Sequence, residues 1–146
     1  MDATTKLKFK KLVPHAITPF MATSGSAGFD LTATHAEQLL PGVTAIVGTG
    51  ISMEIPAGYV GMICPRSGLA AKHAITVANA PGIIDSDYRG EIKVLLANHA
   101  TNVQFVSAGE RIAQMVIVPV ASIEFIEVED VDETERGAGG FGSTGR

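Results

Sequence analysis

Asn79, Asp85 and Tyr88 stand close together in the stretch Asn79-Ala-Pro-Gly-Ile-Ile-Asp-Ser-Asp-Tyr-Arg-Gly-Glu91. Asn79 offers a donor and an acceptor on one side chain. Asp85 puts a carboxylate at the edge of an apolar segment, Ile83-Ile84. Tyr88 adds an aromatic ring three positions later. An amide, a carboxylate and a ring held together suit two tasks, binding a polar planar group and activating a water. Pro81-Gly82 marks a tight turn before them, and Ser86-Asp87 read as turn residues between them. The stretch is therefore expected to be hairpin-like, with the three side chains converging near its tip and a strand over 91–96. Each side chain also has a plainer reading. Asp85 is a turn Asp that bonds its own backbone, Asn79 a turn residue, and Tyr88 a strand-end packing ring.

Three other segments carry groups suited to phosphate. The first is Pro65-Arg-Ser-Gly-Leu-Ala-Ala-Lys-His73. Ser67 is expected to N-cap a short helix, because Leu69-Ala-Ala-Lys72 favours helix. The free N–H groups of its first turn, beside Arg66 and Ser67, would attract an anion; the plainer reading is an ordinary capped turn. The second is 111–114, where Gln114 interrupts an apolar run and must find hydrogen bonds. The third is the tail, where Arg136, Ser143 and Thr144 are phosphate-type donors and Phe141 is a ring able to stack on a base. The tail is no Walker A loop, since it lacks the Gly-Lys-Ser/Thr ending and any following helix. Its plainer reading is a glycine-rich linker. Asp30 also stands out, as a charge inside the short apolar segment 27–33, where strands are depleted in Asp.

These groups need a scaffold. The chain of 146 residues is expected to form one domain, and its hydrophobic fraction of 46% is enough for a core. Aromatics make up only 5%, so Val, Ile, Leu and Ala must fill that core. About ten short strands separated by Gly/Pro turns are expected, with a single short helix at 67–72. That pattern is all-β and jelly-roll-like. The run 111–119 is nearly continuous apolar strand, which implies burial on both faces. With no helices to cover a sheet, a partner subunit is the simplest cover. Seven of the fifteen acids fall within 124–135, which reads as a solvated segment. The chain divides into a β domain, 1–135, and a flexible arm, 136–146, with five glycines in its last ten positions.

Composition also excludes. A net charge of −4 argues against a broad nucleic-acid footprint. The single cysteine, Cys64, rules out an intrachain disulfide and is expected to be an inert buried thiol. No histidine pair has ligand spacing. Neither a signal-peptide pattern nor a membrane-spanning run is present, so no membrane role and a cytoplasmic location are expected.

Taken together, the segments resemble the trimeric deoxyuridine triphosphatase (dUTPase) family. Its five motifs occur in order at 27–33, 65–70, 79–90, 109–117 and 136–145, over nearly the whole chain. The resemblance implies a jelly-roll of the β-clip type, dUTP as substrate, dUMP and pyrophosphate as products, magnesium as cofactor, and a homotrimer with shared active sites. It implies Asp85 as catalytic base, with Asn79 and the backbone of Gly82, Ile83 and Ile84 reading uracil and Tyr88 packing under the deoxyribose. Arg66, Ser67, Gly68 and Gln114 match phosphate contacts, and Lys93 is grouped with the substrate contacts. Asp30 matches an acid that orients magnesium through water. In the arm, Arg136, Gly142, Ser143 and Thr144 match contacts around the γ-phosphate, and Phe141 the ring over uracil. Phe29 stands where Tyr is common in the family. A dCTP deaminase of the same fold is the alternative enzyme, and the intact Ile-Asp-Ser-Asp-Tyr-Arg-Gly stretch argues against it. A regulatory, non-enzymatic role lacks any insertion that would mark a partner surface.

Overall fold

The computed structural model describes residues 5–143 and 145; Thr144 lies outside the described residues. Eleven strands and one helix appear among them: β1 (Lys8–Lys11), β2 (Phe29–Thr32), β3 (Glu37–Leu39), β4 (Thr44–Gly48), β5 (Ile51–Glu54), β6 (Tyr59–Cys64), α1 (Ser67–His73), β7 (Ile75–Val77), β8 (Gly82–Ile84), β9 (Lys93–Asn98), β10 (Gln104–Val106) and β11 (Arg111–Pro119). The fold is all-β and jelly-roll-like, as expected. Strands β2-β11-β6-β8 form one antiparallel sheet and β4-β9-β7 another; β1-β5 and β3-β10 form two further two-stranded antiparallel sheets.

The core is one cluster fed from both larger sheets. Leu31, Ile63, Ile112 and Met115 come from the first, and Val47, Ile75, Val94 and Leu96 from the second. Strand β9 shows why. Its residues Val94, Leu96 and Asn98 point inward at period two, and the residues between them do not. Asn98 is buried without cost in lost bonds. Its Nδ2 donates to Leu39 O and Asn102 O, both at 2.9 Å, and its Oδ1 accepts from Ala100 N at 2.8 Å. In β11 the register against β2 shifts between Arg111 and Ala113. Ile112 and Ala113, successive residues there, are both buried, so this part of the strand is covered on both faces.

Burial on both faces of β11 holds only for its first half. Val116, Ile117 and Val118 are half-buried in the single chain. Gln114 is half-buried rather than buried, and its Nε2 donates to Pro65 O at 2.9 Å. The acidic segment is exposed throughout, as expected of a solvated segment, but its apolar residues are exposed with it. Ile123, Phe125, Ile126 and Val128 are exposed, Phe125 at 95%, and no strand among the described residues pairs with them. The acids there alternate with large apolar side chains, so the segment is only half polar.

Candidate active site

The stretch 79–91 is a corner, not a hairpin. Strand β8 pairs with β6, and β9 pairs with β4 and β7 in the other sheet. The chain thus leaves the second sheet after β7, places three residues in the first, and returns at β9. Glu91 and Ile92, expected within a strand, belong to the return. Tyr88 N donates to Asp85 O at 3.1 Å and closes the turn between the sheets. Arg89 Nη1 holds the same turn through Ser86 O at 2.7 Å. Gly90 is required here, because a Cβ on it would collide with the folded-back Tyr88 ring. The ring is fixed by its hydroxyl, which donates to Glu91 O at 3.0 Å.

That corner opens a cleft of about 260 Å³, to which Asn79, Gly82, Ile83, Ile84, Asp85, Tyr88, Glu91 and Lys93 contribute, with Ile63 and Leu95 behind them. The Asn79 amide lies over Gly82. Asp85 and Tyr88 are exposed at the cleft. Among the described residues the Asp85 carboxylate accepts no hydrogen bond and forms no ion pair. Its backbone carbonyl, not its side chain, closes the turn. The reading of Asp85 as a self-bonded turn residue therefore fails, and a carboxylate stands free beside an amide and a ring.

A second cleft collects the phosphate-type groups. Asp30, Arg66, Ser67, Gly68, Arg111 and Gln114 line it. Ser67 is not the cap of α1 but its first residue. The N-cap is Arg66, in extended conformation at φ −97° and ψ 128°, and no side chain caps the helix. The N-terminal N–H groups are thus left for another acceptor. Gly68 has open space where a side chain would project. Arg66 Nε bonds Asp30 Oδ1 at 3.2 Å, and Arg111 Nη1 bonds Asp30 Oδ2 at 3.1 Å. Arg66 Nη1 also donates to Arg111 O at 3.1 Å. Asp30 therefore aligns two guanidiniums along one wall, its side chain only 12% exposed.

The arm meets neither cleft. Its described backbone bonds are local turns, such as Gly139 N to Arg136 O at 3.0 Å and Ser143 N to Gly140 O at 3.0 Å. Phe141 is fully exposed at a positive φ of 52°. Arg136, Phe141, Gly142 and Ser143 thus lie apart from both clefts in the single chain.

The dUTPase family model matches residues 15–145 of this chain. The chain belongs to the dUTPase family. A protein of Nautilia profundicola named deoxyuridine 5'-triphosphate nucleotidohydrolase is 56% identical over 141 residues, 97% of this chain and 99% of that one. One of the same name from Cutibacterium acnes is 54% identical over 134 residues, covering 91% and 88%. Among solved structures, the dUTPase of Staphylococcus bacteriophage 80alpha with dUPNHPP has a TM-score of 0.90 at 30% identity, covering 98% of this chain and 100% of that one. A dUTPase mutant of phage phi11 of S. aureus, described for its coordination of a structural Mg(II) ion, has a TM-score of 0.79 at 25% identity, over 86% and 98%.

This dUTPase chain sorts the residues singled out in the sequence into three sets: the corner cleft, the guanidinium cleft and the arm. The two clefts share no lining residue. Two members had no role of their own in the sequence. Arg111 stood only at the head of the phosphate-suited segment 111–114, and Glu91 only as the first residue of an expected strand. What marks Arg111 is its distance to Asp30, 81 positions away, and no local pattern carries that. No group of three His, Cys, Asp or Glu able to hold a metal occurs among the described residues. No helix among them is long and apolar enough to cross a membrane.

Proposed function

We propose that the chain hydrolyses dUTP to dUMP and pyrophosphate, with Asp85 as general base, in a homotrimer whose active sites are shared between chains. The observation that carries this is the unpaired Asp85 carboxylate at the rim of a cleft that also presents Asn79 and Tyr88. Asp85 takes a proton from water, and the water oxygen attacks the α-phosphorus in line. The bond to the bridging oxygen breaks, and pyrophosphate leaves with that oxygen. Such a displacement on a polyanion needs positioning, charge neutralisation and a base near water, and little else.

Asn79 and the backbone of Gly82–Ile84 suit the polar edge of uracil. Cytosine has an amino donor where uracil has a carbonyl, so fixed polar groups reject it. The Tyr88 ring, packed under the deoxyribose, leaves no room for a 2′-hydroxyl. Lys93 flanks the same cleft. Arg66, Arg111, Gln114 and the N–H groups at Ser67 and Gly68 suit the phosphates. Magnesium neutralises phosphate charge when bound, and the donor set fits it through water only. Each Asp30 oxygen already accepts one guanidinium and retains a further lone pair for a metal-bound water.

The shared-site reading is supported by the separation of the clefts and the arm within one chain. It is also supported by apolar surface that a lone chain leaves in water, the outer half of β11 and Ile123, Phe125, Ile126 and Val128. Over a site completed by other chains, Arg136, Ser143 and Thr144 reach the γ-phosphate, Gly142 lets the arm approach, and Phe141 covers the base. The product dUMP serves thymidylate synthesis, and removal of dUTP keeps uracil out of DNA. A nucleotide panel with magnesium in ¹⁸O-water tests the reading. Pyrophosphate from dUTP alone, with label in dUMP, supports it. Ammonia release, or label in pyrophosphate, overturns it.

A further inference from the structure

The Gly48-Thr49-Gly50 turn between β4 and β5 lies outside all the chemistry above, yet it touches the corner that carries Asp85 and Tyr88. Glu91 Oε1 accepts a hydrogen bond from Gly50 N at 2.9 Å. The carboxylate enters the turn only because residue 48 is glycine, where a Cβ would lie 2.6 Å from Oε1. Neighbouring bonds fasten the same return. Ser52 Oγ donates to Arg89 O at 2.7 Å, Ile92 N to Ile51 O at 2.8 Å, and Thr49 Oγ1 to Ile92 O at 2.7 Å. Glu91 also faces the cleft. Its backbone carbonyl holds the Tyr88 hydroxyl at 3.0 Å, and Oε2 lies 3.8 Å from Lys93 Nζ.

We infer that Glu91 is a positioning residue for sugar selection: its carboxylate, seated in the Gly48-Thr49-Gly50 turn, fixes the height of the Tyr88 ring in the cleft. The inference rests on the reading of Tyr88 as the wall against the deoxyribose. A ring excludes a 2′-hydroxyl only if it cannot yield. Tyr88 is 44% exposed, and its one side-chain bond ends on the Glu91 backbone. Whatever frees residue 91 frees the ring. The hydrogen bond to Gly50 N is the working contact. The Lys93 pair is long, and Lys93 is 54% exposed, so screening leaves it little weight.

The contact can be broken from either side. Glu91→Ala removes the acceptor. Gly48→Ala displaces the acceptor from outside the cleft, and its clash is with the end of a flexible side chain, so the fold survives it. Glu91→Gln keeps an oxygen for Gly50 N while removing the charge. The readout is kcat/KM for dUTP over kcat/KM for UTP, with melting curves on each trimer. A loss of fold stability alone lowers both substrates together and leaves the ratio unchanged. Expected are a ratio lowered about tenfold or more in Glu91→Ala and in Gly48→Ala, no further loss in the double variant, and a ratio restored in Glu91→Gln. An unchanged ratio in both single variants overturns the inference, as does a Glu91→Gln ratio as low as that of Glu91→Ala. Failure of the wild type to turn over dUTP would instead overturn the proposed function.

Discussion

Replacing Asp30 by Asn takes one negative charge from between two guanidiniums and leaves the shape intact. The structure allows the cost to be worked out. The Arg66 pair is mostly buried, with side-chain exposures of 26% and 12%, so it belongs with charge-assisted bonds of about 1.5–3 kcal/mol. Arg111 is 44% exposed, so its pair counts as a surface bridge, about 0–1 kcal/mol. The sum is about 1.5–4 kcal/mol, which for a domain of this size lowers Tm by roughly 5–15 °C. The assay is thermal melting of the variant and wild type at low and high salt, with and without a non-hydrolysable dUTP analogue. The gap is expected to persist largely at high salt, because the Arg66 pair is shielded from solvent. It is expected to narrow with the analogue, since phosphate oxygens then replace the lost carboxylate for both arginines. A magnesium titration of activity runs alongside. An unchanged Tm with a shifted magnesium requirement refutes the reasoning, because Asp30 would then act on the metal and not on the guanidiniums.

Truncation after Glu135 is expected to leave a folded assembly that binds dUMP normally and turns over dUTP poorly. Ordering ten backbones costs roughly 10–20 kcal/mol, against about 1–3 kcal/mol for a stacked ring and about 1.5–3 kcal/mol for each charge-assisted bond, so the arm closes only when the γ-phosphate is present. Proteolysis of the arm checks this, and an analogue that gives no protection speaks against a lid. Tyr88→Ala is expected to raise UTP turnover relative to dUTP, and the ratio of kcat/KM values measures it. Leu96→Ala empties a fully buried site of the core and is expected to cost about 2–5 kcal/mol, read as a lowered urea midpoint with an unchanged slope. Light scattering is expected to give three times the chain mass of 15.2 kDa, and a stable, active monomer would contradict shared sites.

Local chemistry was legible wherever it depended on near neighbours. A strand within 91–96, short strands separated by Gly/Pro turns, and the short helix after Arg66 all follow from adjacent residues. The company kept by Asn79, Asp85 and Tyr88 was legible too, because one turn brings them together. What was not legible depends on distant partners. A strand of three residues pairs equally well with the next strand or with one twenty positions earlier, and only the closed fold selects β6 over β9 for β8. Ser67 reads as a cap from its type alone, but Arg66, whose side chain bonds the distant Asp30, occupies the N-cap position. The segment after Val120 reads as solvated from its acids and is exposed, but the apolar side chains between those acids find no partner among the described residues.

Pyrophosphate release from dUTP by wild type and Asp85→Asn, measured beside nucleotide binding, tests the central claim most directly. The free carboxylate at the corner predicts that Asp85→Asn binds dUTP within a few-fold of wild type and loses roughly 10²–10⁴ in turnover. Near-normal turnover by Asp85→Asn would show that another group takes the proton from water, and would contradict the account.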